Sequence, residues 1–93
     1  MENKISEQKI EKYLKLTENA LKIVNKSIQK NMESQAKEII DMVSNYLSDA
    51  KYFKEKKDFV NSFAAINYAH GWIDCGVRLE IFKTKNNKLF TVK

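Results

Sequence analysis

The side chains best suited to chemistry are concentrated in one short stretch, YAHGWIDCGVR, which runs from Tyr68 to Arg78. The only histidine, tryptophan, cysteine and arginine of the 93-residue chain, and both of its glycines, fall between His70 and Arg78. His70, Asp74 and Arg78 follow one another at intervals of four, and residues at that spacing face each other on a helix. We therefore expect Asp74 to accept a hydrogen bond from His70, from Arg78 or from both.

Two interpretations of this polar group remain open. The first is a charge network that ties the helix to its neighbours. The second is a recognition site, because the planar guanidinium of Arg78 suits bidentate binding of a carboxylate or a phosphate.

Catalysis and metal binding are not expected from these residues. Cys75 lies five residues from His70, which places the two side chains roughly 140° apart around a helix, so they cannot activate each other within one chain. One histidine and one aspartate supply at most two ligands, whereas zinc takes three or four. No glycine-rich phosphate loop is present. We predict a protein that is not an enzyme and that has no cofactor or metal.

Helical periodicity accounts for the first half of the chain. Apolar residues recur at steps of three and four in two series. The first series is Ile10, Leu14, Thr17, Leu21, Val24 and Ile28, and the second is Met32, Ala36, Ile39, Val43, Tyr46, Ala50 and Phe53. They predict helix 1 over about 6–29, with Ser6 as its N-cap, and helix 2 over about 34–56. The join between the two series fits either one long bent helix or a break. We place a break near 30–34, where Asn31 ends the first helix and Ser34 caps the second.

The stretch that holds the rare residues falls in a third helix, predicted over about 58–82 with Asp58 as its N-cap. The turn before Asp58 is short, so helices 2 and 3 should be antiparallel. Two apolar stripes predict two packing partners: Phe59, Phe63, Ile66, His70, Ile73 and Val77 form one, and Ser62, Ala65, Ala69, Trp72, Gly76 and Leu79 form the other. We expect Trp72 to anchor the core and Gly76 to admit a neighbouring helix.

A third side of this helix is also small and apolar, and the two predicted partners leave it uncovered. It contains Ala64, Tyr68, Gly71, Cys75 and Phe82, and a polar row of Asn67, Gly71, Asp74 and Arg78 borders it. Because glycine inside a helix costs about 1 kcal/mol relative to alanine, Gly71 suggests a close approach, either of a neighbouring helix or of a partner or ligand.

Composition limits the overall architecture. The chain has 43% hydrophobic residues, 31% charged residues and no proline, and it lacks an apolar run long enough to span a membrane. We predict a single domain over 1–93, an all-α three-helix bundle with a short extended C-terminal tail over 83–93, in the cytoplasm and without a membrane. The tail has four lysines and no acidic residue. Its apolar residues should fold against helix 3 or join a partner.

Three blocks of the sequence resemble a small archaeal family of unknown function. They are Tyr46, Asp49, Ala50 and Phe53; the turn Lys57-Asp58; and Ala65, Tyr68, Ala69, Gly71 and Asp74. The family pattern has glycine where this chain has Lys57. The resemblance implies a compact helical bundle in an archaeal cytoplasm, and it implies no activity.

We predict a non-catalytic module for protein interaction or self-association, which binds itself or another protein. The predicted interaction surface consists of Asn67, His70, Gly71, Asp74 and Arg78. The alternative is an accessory domain that binds a nucleotide or RNA through Arg78, His70 and the lysines of the tail.

Overall fold

Three α-helices make up the fold. The computed structural model describes residues 5–84 and contains α1 (Glu7–Asn25), α2 (Glu33–Glu55) and α3 (Phe59–Arg78), with no strand element in that range. Of the three pairs of helices, α2 and α3 pack together most extensively. The predicted all-α three-helix bundle is confirmed. No helix in this part of the chain is long and apolar enough to cross a membrane.

The antiparallel arrangement of α2 and α3 follows from a turn of three residues between them. The Ser62 hydroxyl donates to the Ala50 carbonyl across the helix pair at 2.7 Å, and farther from the turn Ile39 lies beside Gly76. Ser62 is fully buried, so this hydrogen bond satisfies a polar group that has lost contact with water.

Two predicted N-caps are confirmed. The Ser6 hydroxyl accepts a hydrogen bond from the Lys9 backbone N–H at 3.1 Å, and the Asp58 carboxylate accepts one from the Asn61 N–H at 3.2 Å. Each cap satisfies one of the backbone donors that the first turn of a helix leaves without a partner.

The break between α1 and α2 exists, but its details differ from the prediction. Helix α1 ends at Asn25 rather than near residue 29, and the N-cap of α2 is Met32, which makes no side-chain capping bond. Ser34 lies inside the first turn of α2, and Asn31 lies in the linker with a left-handed φ of 72°. The prediction that Asn31 ends helix 1 and Ser34 caps helix 2 was therefore wrong.

The linker leaves the helical conformation because it pairs with the chain that follows α3. The Gln29 N–H donates to the Ile81 carbonyl at 2.9 Å, and the Lys83 N–H donates to the Ser27 carbonyl at 2.7 Å. Ile28 and Phe82 thereby form an antiparallel bridge. The same pairing explains why α3 ends at Arg78 and not near residue 82.

Phe82 closes this end of the bundle. Its side chain is 1% exposed and its ring lies against Gly76, so it belongs to the core and not to the third side of α3 where the periodicity placed it. Of the predicted tail, 83–93, only Lys83 and Thr84 are among the described residues; the rest of that prediction lies outside them.

The core consists of most of the predicted apolar residues together with three that the periodicity missed, Ala20, Leu47 and Ile81, whereas Leu79 of a predicted stripe is exposed. Lys57, in the turn before α3, has a left-handed φ of 64°. Glycine adopts such a φ without the steric cost that a side chain adds.

Candidate functional site

Helix α3 has one side that the bundle covers and another that it leaves open. Ile66, Ala69 and Ile73 are buried against the other helices. Six residues on the opposite side are exposed, and we call them the outer face of α3: Ala64, Asn67, Tyr68, Gly71, Trp72 and Cys75.

A shallow depression of about 290 Å³ lies on this outer face, and five of its six residues line it. Gly71 is one of these lining residues, and a Cβ atom built at this position would meet nothing within 4 Å. The missing side chain therefore leaves an open notch in the helix surface. No neighbouring element described here uses the close approach that Gly71 permits.

Two aromatic side chains stand beside the notch. Tyr68 is 62% exposed, and its ring stacks on that of Tyr46 from α2, with centroids 5.3 Å apart and planes inclined by 19°. Because α2 supports one face of the Tyr68 ring, the side chain is held in place while much of it stays in solvent.

Trp72 is 36% exposed, so the prediction that it anchors the core was wrong. It lies at the edge of the outer face that adjoins the covered side of α3, and part of its ring stays in solvent. Its spacing of four residues from Tyr68 and three from Cys75 is the sequence signal that places it with them.

The polar row next to the outer face contains an ion pair. The Arg78 Nε donates to the Asp74 carboxylate at 3.3 Å, and Arg78 is largely exposed. A pair of this kind contributes about 0–1 kcal/mol to stability. Of the two interactions expected for Asp74, with His70 and with Arg78, the one with Arg78 is thus present.

The predicted surface residues separate into two groups. Asn67, Gly71 and Arg78 are exposed, whereas Asp74 and His70 are half-buried. The Nε2 atom of His70 is buried, so this ring contributes little to the open surface. The structure therefore groups Asn67 and Gly71 with the exposed aromatic residues.

Charge distinguishes α3 from the other helices. The twenty residues of α3 include only two charged side chains, Asp74 and Arg78, which pair with each other. Helices α1 and α2 carry seven and eight charged side chains. Depletion of lysine and glutamate, together with enrichment of aromatic residues, is typical of the buried centres of protein interfaces.

The residues predicted for the alternative function, binding of a nucleotide or RNA, are not all open to a ligand. The Arg78 guanidinium already contacts Asp74, and the Nε2 atom of His70 is buried. Of the tail lysines only Lys83 is described. This alternative stays a prediction. Among residues 5–84, no three His, Cys, Asp or Glu side chains cluster closely enough to hold a metal ion.

Comparison with known proteins gives a family and no further relatives. A family model described as "Protein of unknown function (DUF357)" matches residues 12–82, which include almost all of the bundle and end at Phe82. No curated protein and no solved structure matches the chain significantly. The matched region covers well over half of the sequence, and the chain therefore belongs to the DUF357 family, whose function is unknown.

Proposed function

We propose that this protein is a non-catalytic interaction module that self-associates through the outer face of α3. One observation supports the proposal above the others: an apolar, lysine-free helix face with an unfilled notch at Gly71 remains open to solvent. Exposed apolar depressions with few charges are typical of interaction sites.

A second copy of the chain suits this face because the face has complementary parts. The exposed rings of Tyr68 and Trp72 project beside the notch at Gly71. In a two-fold symmetric contact the same patch meets itself, so an aromatic side chain of each copy fills the notch of the other. Aromatic residues seated in such pockets usually contribute most of the binding energy of an interface.

The non-catalytic part of the proposal has its own support. Cys75, the only thiol, is exposed on the outer face, whereas His70 is half-buried and five residues away on the same helix. A thiolate nucleophile requires a base within hydrogen-bond reach, and this arrangement does not bring the two together. We also propose a cytoplasmic location, since an exposed free cysteine persists as a thiol in a reducing compartment.

Sedimentation velocity over a concentration series tests self-association with two matched variants. Gly71→Lys places a charge in the notch, and Asn45→Lys places the same charge at an exposed position of α2. We expect the dimer dissociation constant to rise at least tenfold for Gly71→Lys, because an unpaired ammonium would be buried in the contact. Asn45→Lys should change it by less than twofold.

The single tryptophan provides a second readout. Dimer formation should cover Trp72, shift its emission to shorter wavelength and reduce its quenching by acrylamide as the concentration rises. A wild type that sediments as a monomer at every concentration, with Trp72 quenched equally throughout, would contradict self-association. If it then bound a different protein in a Gly71→Lys-sensitive manner, the face would serve a heterotypic contact instead.

A further inference from the structure

A second feature lies on the seam between α1 and α2, and it shares no residue with the outer face of α3. Three ion pairs cross this seam, each with the acidic residue on α1 and the lysine on the α2 side. They are Glu7 with Lys57 at 3.7 Å, Glu11 with Lys54 at 3.3 Å, and Glu18 with Lys51 at 2.7 Å. At these three points the charges of the two helices compensate each other.

Around the Glu18–Lys51 pair this compensation is incomplete. Lys15 and Lys22 of α1 lie three residues before and four residues after Glu18 and line the same cleft, to which α2 contributes Lys51, Leu47 and the hydroxyls of Ser44 and Ser48. Within residues 5–84, neither Lys15 nor Lys22 has a carboxylate within 4 Å. The seam is therefore neutral at the Glu7–Lys57 and Glu11–Lys54 pairs, whereas the segment around Glu18 carries an excess of two positive charges.

The uncompensated segment forms a cleft of about 470 Å³. This volume falls in the range of small-molecule sites, about 300–1,000 Å³. Leu21 and Leu47 supply an apolar part of the wall, and Asn19 adds an amide to the ammonium and hydroxyl donors. Hydrogen bonds from ammonium groups to a phosphate are charge-assisted and stronger than neutral ones.

We infer that this cleft binds the phosphate group of a small phosphorylated molecule. Lys15 and Lys22 provide the charge, Ser44 and Ser48 donate from the opposite helix, and the two leucines contact the apolar part of the ligand. The Glu18–Lys51 pair bounds the cleft and adds no net charge, so the positive charge is confined to Lys15 and Lys22, which favours a compact ligand over a long polyanion. The site differs from Arg78, His70 and the tail lysines, which the sequence suggested for nucleotide or RNA binding.

Inorganic pyrophosphate is the probe for the test, because it carries the proposed chemistry without an organic group. Amide chemical shifts of the ¹⁵N-labelled full chain are followed during titration at low salt. The test variant is Lys15→Gln/Lys22→Gln, and the matched control is Lys30→Gln/Lys56→Gln, which removes the same charge at exposed positions outside the cleft. All four lysines are exposed, so both variants should fold, and circular dichroism verifies this.

We expect saturable shifts at Asn19, Leu21, Ser44 and Ser48, a loss of affinity of at least tenfold in the test variant, and a change of less than twofold in the control. Equal losses in both variants, or shifts without saturation, would overturn the inference, because general charge attraction would then explain them. A twelve-nucleotide oligouridylate forms a second arm. Binding of that RNA at the same amides, tighter than that of pyrophosphate and lost in the test variant, would overturn the assignment to a small molecule.

Discussion

The two glycines of α3 lie five residues apart and have opposite surroundings. At Gly76 a Cβ atom would come within 2.5 Å of the Phe82 ring and 3.1 Å of Ile39, whereas at Gly71 it would meet nothing within 4 Å. The first glycine is required by the packing of this chain. The second is open, although glycine costs the helix about 1 kcal/mol relative to alanine. Gly71 therefore points to a contact that the described residues do not make.

The same contrast holds for the side chains around the two positions. The covered side of α3 receives Phe82, which returns from beyond the end of the helix and is 1% exposed. The outer face exposes Tyr68 and Trp72, and among residues 5–84 the stacking of Tyr46 on Tyr68 covers only part of it. Apolar composition alone thus does not distinguish a packed helix face from an available one. The positions of α1, α2 and the chain after α3 make the difference.

The largest expected effect tests the covered side. Phe82→Ala should lower the free energy of unfolding by about 3–5 kcal/mol, because it removes a fully buried aromatic ring and leaves a cavity over Gly76. Tyr68→Ala on the outer face should cost about 1 kcal/mol, mostly through loss of the stacking on Tyr46. Urea denaturation followed by circular dichroism measures both. Equal losses of unfolding free energy in the two variants would contradict this contrast, because the covered side and the outer face would then contribute alike to stability.

The glycines themselves give the next effect, which should have opposite signs at the two positions. Gly76→Ala should destabilise the fold by about 1–3 kcal/mol, since the new methyl group overlaps the Phe82 ring. Gly71→Ala should stabilise it by about 0.5–1 kcal/mol through helix propensity, measured at a dilution at which the protein is a monomer. A destabilised Gly71→Ala monomer would mean that a part of the chain beyond residues 5–84 already fills the notch.

A smaller effect is expected where α2 turns into α3. Lys57→Gly should stabilise the fold by about 0.5–1 kcal/mol, because relief of the left-handed φ outweighs the greater freedom of glycine in the unfolded chain. The ion pair lost with Glu7 is long, at 3.7 Å, and largely exposed, so it offsets little. Thermal unfolding beside Lys56→Gly, one residue earlier with φ −82°, is the measurement and its control. If both variants have the same midpoint, the strain assigned to Lys57 is absent.

The smallest effect concerns the polar edge of the outer face. Asp74→Asn should change the free energy of unfolding by less than about 0.5 kcal/mol, because the Asp74–Arg78 pair is mostly solvated. If the outer face mediates self-association, the same variant should affect the dimer dissociation constant more than it affects folding. A loss of stability above 1 kcal/mol would show that this pair stabilises the fold, and the interaction surface would then end before Asp74.

Much of the candidate site could be predicted from the spacing of residues in α3. The grouping of Ala64, Tyr68, Gly71 and Cys75 on an uncovered side follows from helical geometry, and the structure leaves these residues exposed. The position of Trp72 could not be predicted this way. Its sector lies between two sides of α3, and the exact reach of α1 and α2 decides how much of the ring is covered.

The sequence by itself determined the three helices, their buried faces and the caps at Ser6 and Asp58. These features depend on interactions within a few residues, namely a repeat of 3.6 residues and hydrogen bonds to the first turn. Only the tertiary structure decided where α1 and α3 end. The pairing of 27–29 with 81–83 joins segments more than fifty residues apart, and its backbone hydrogen bonds replace those of two further helical turns. Such long-range exchange leaves no periodic signal, and it is also what brings Phe82 to Gly76.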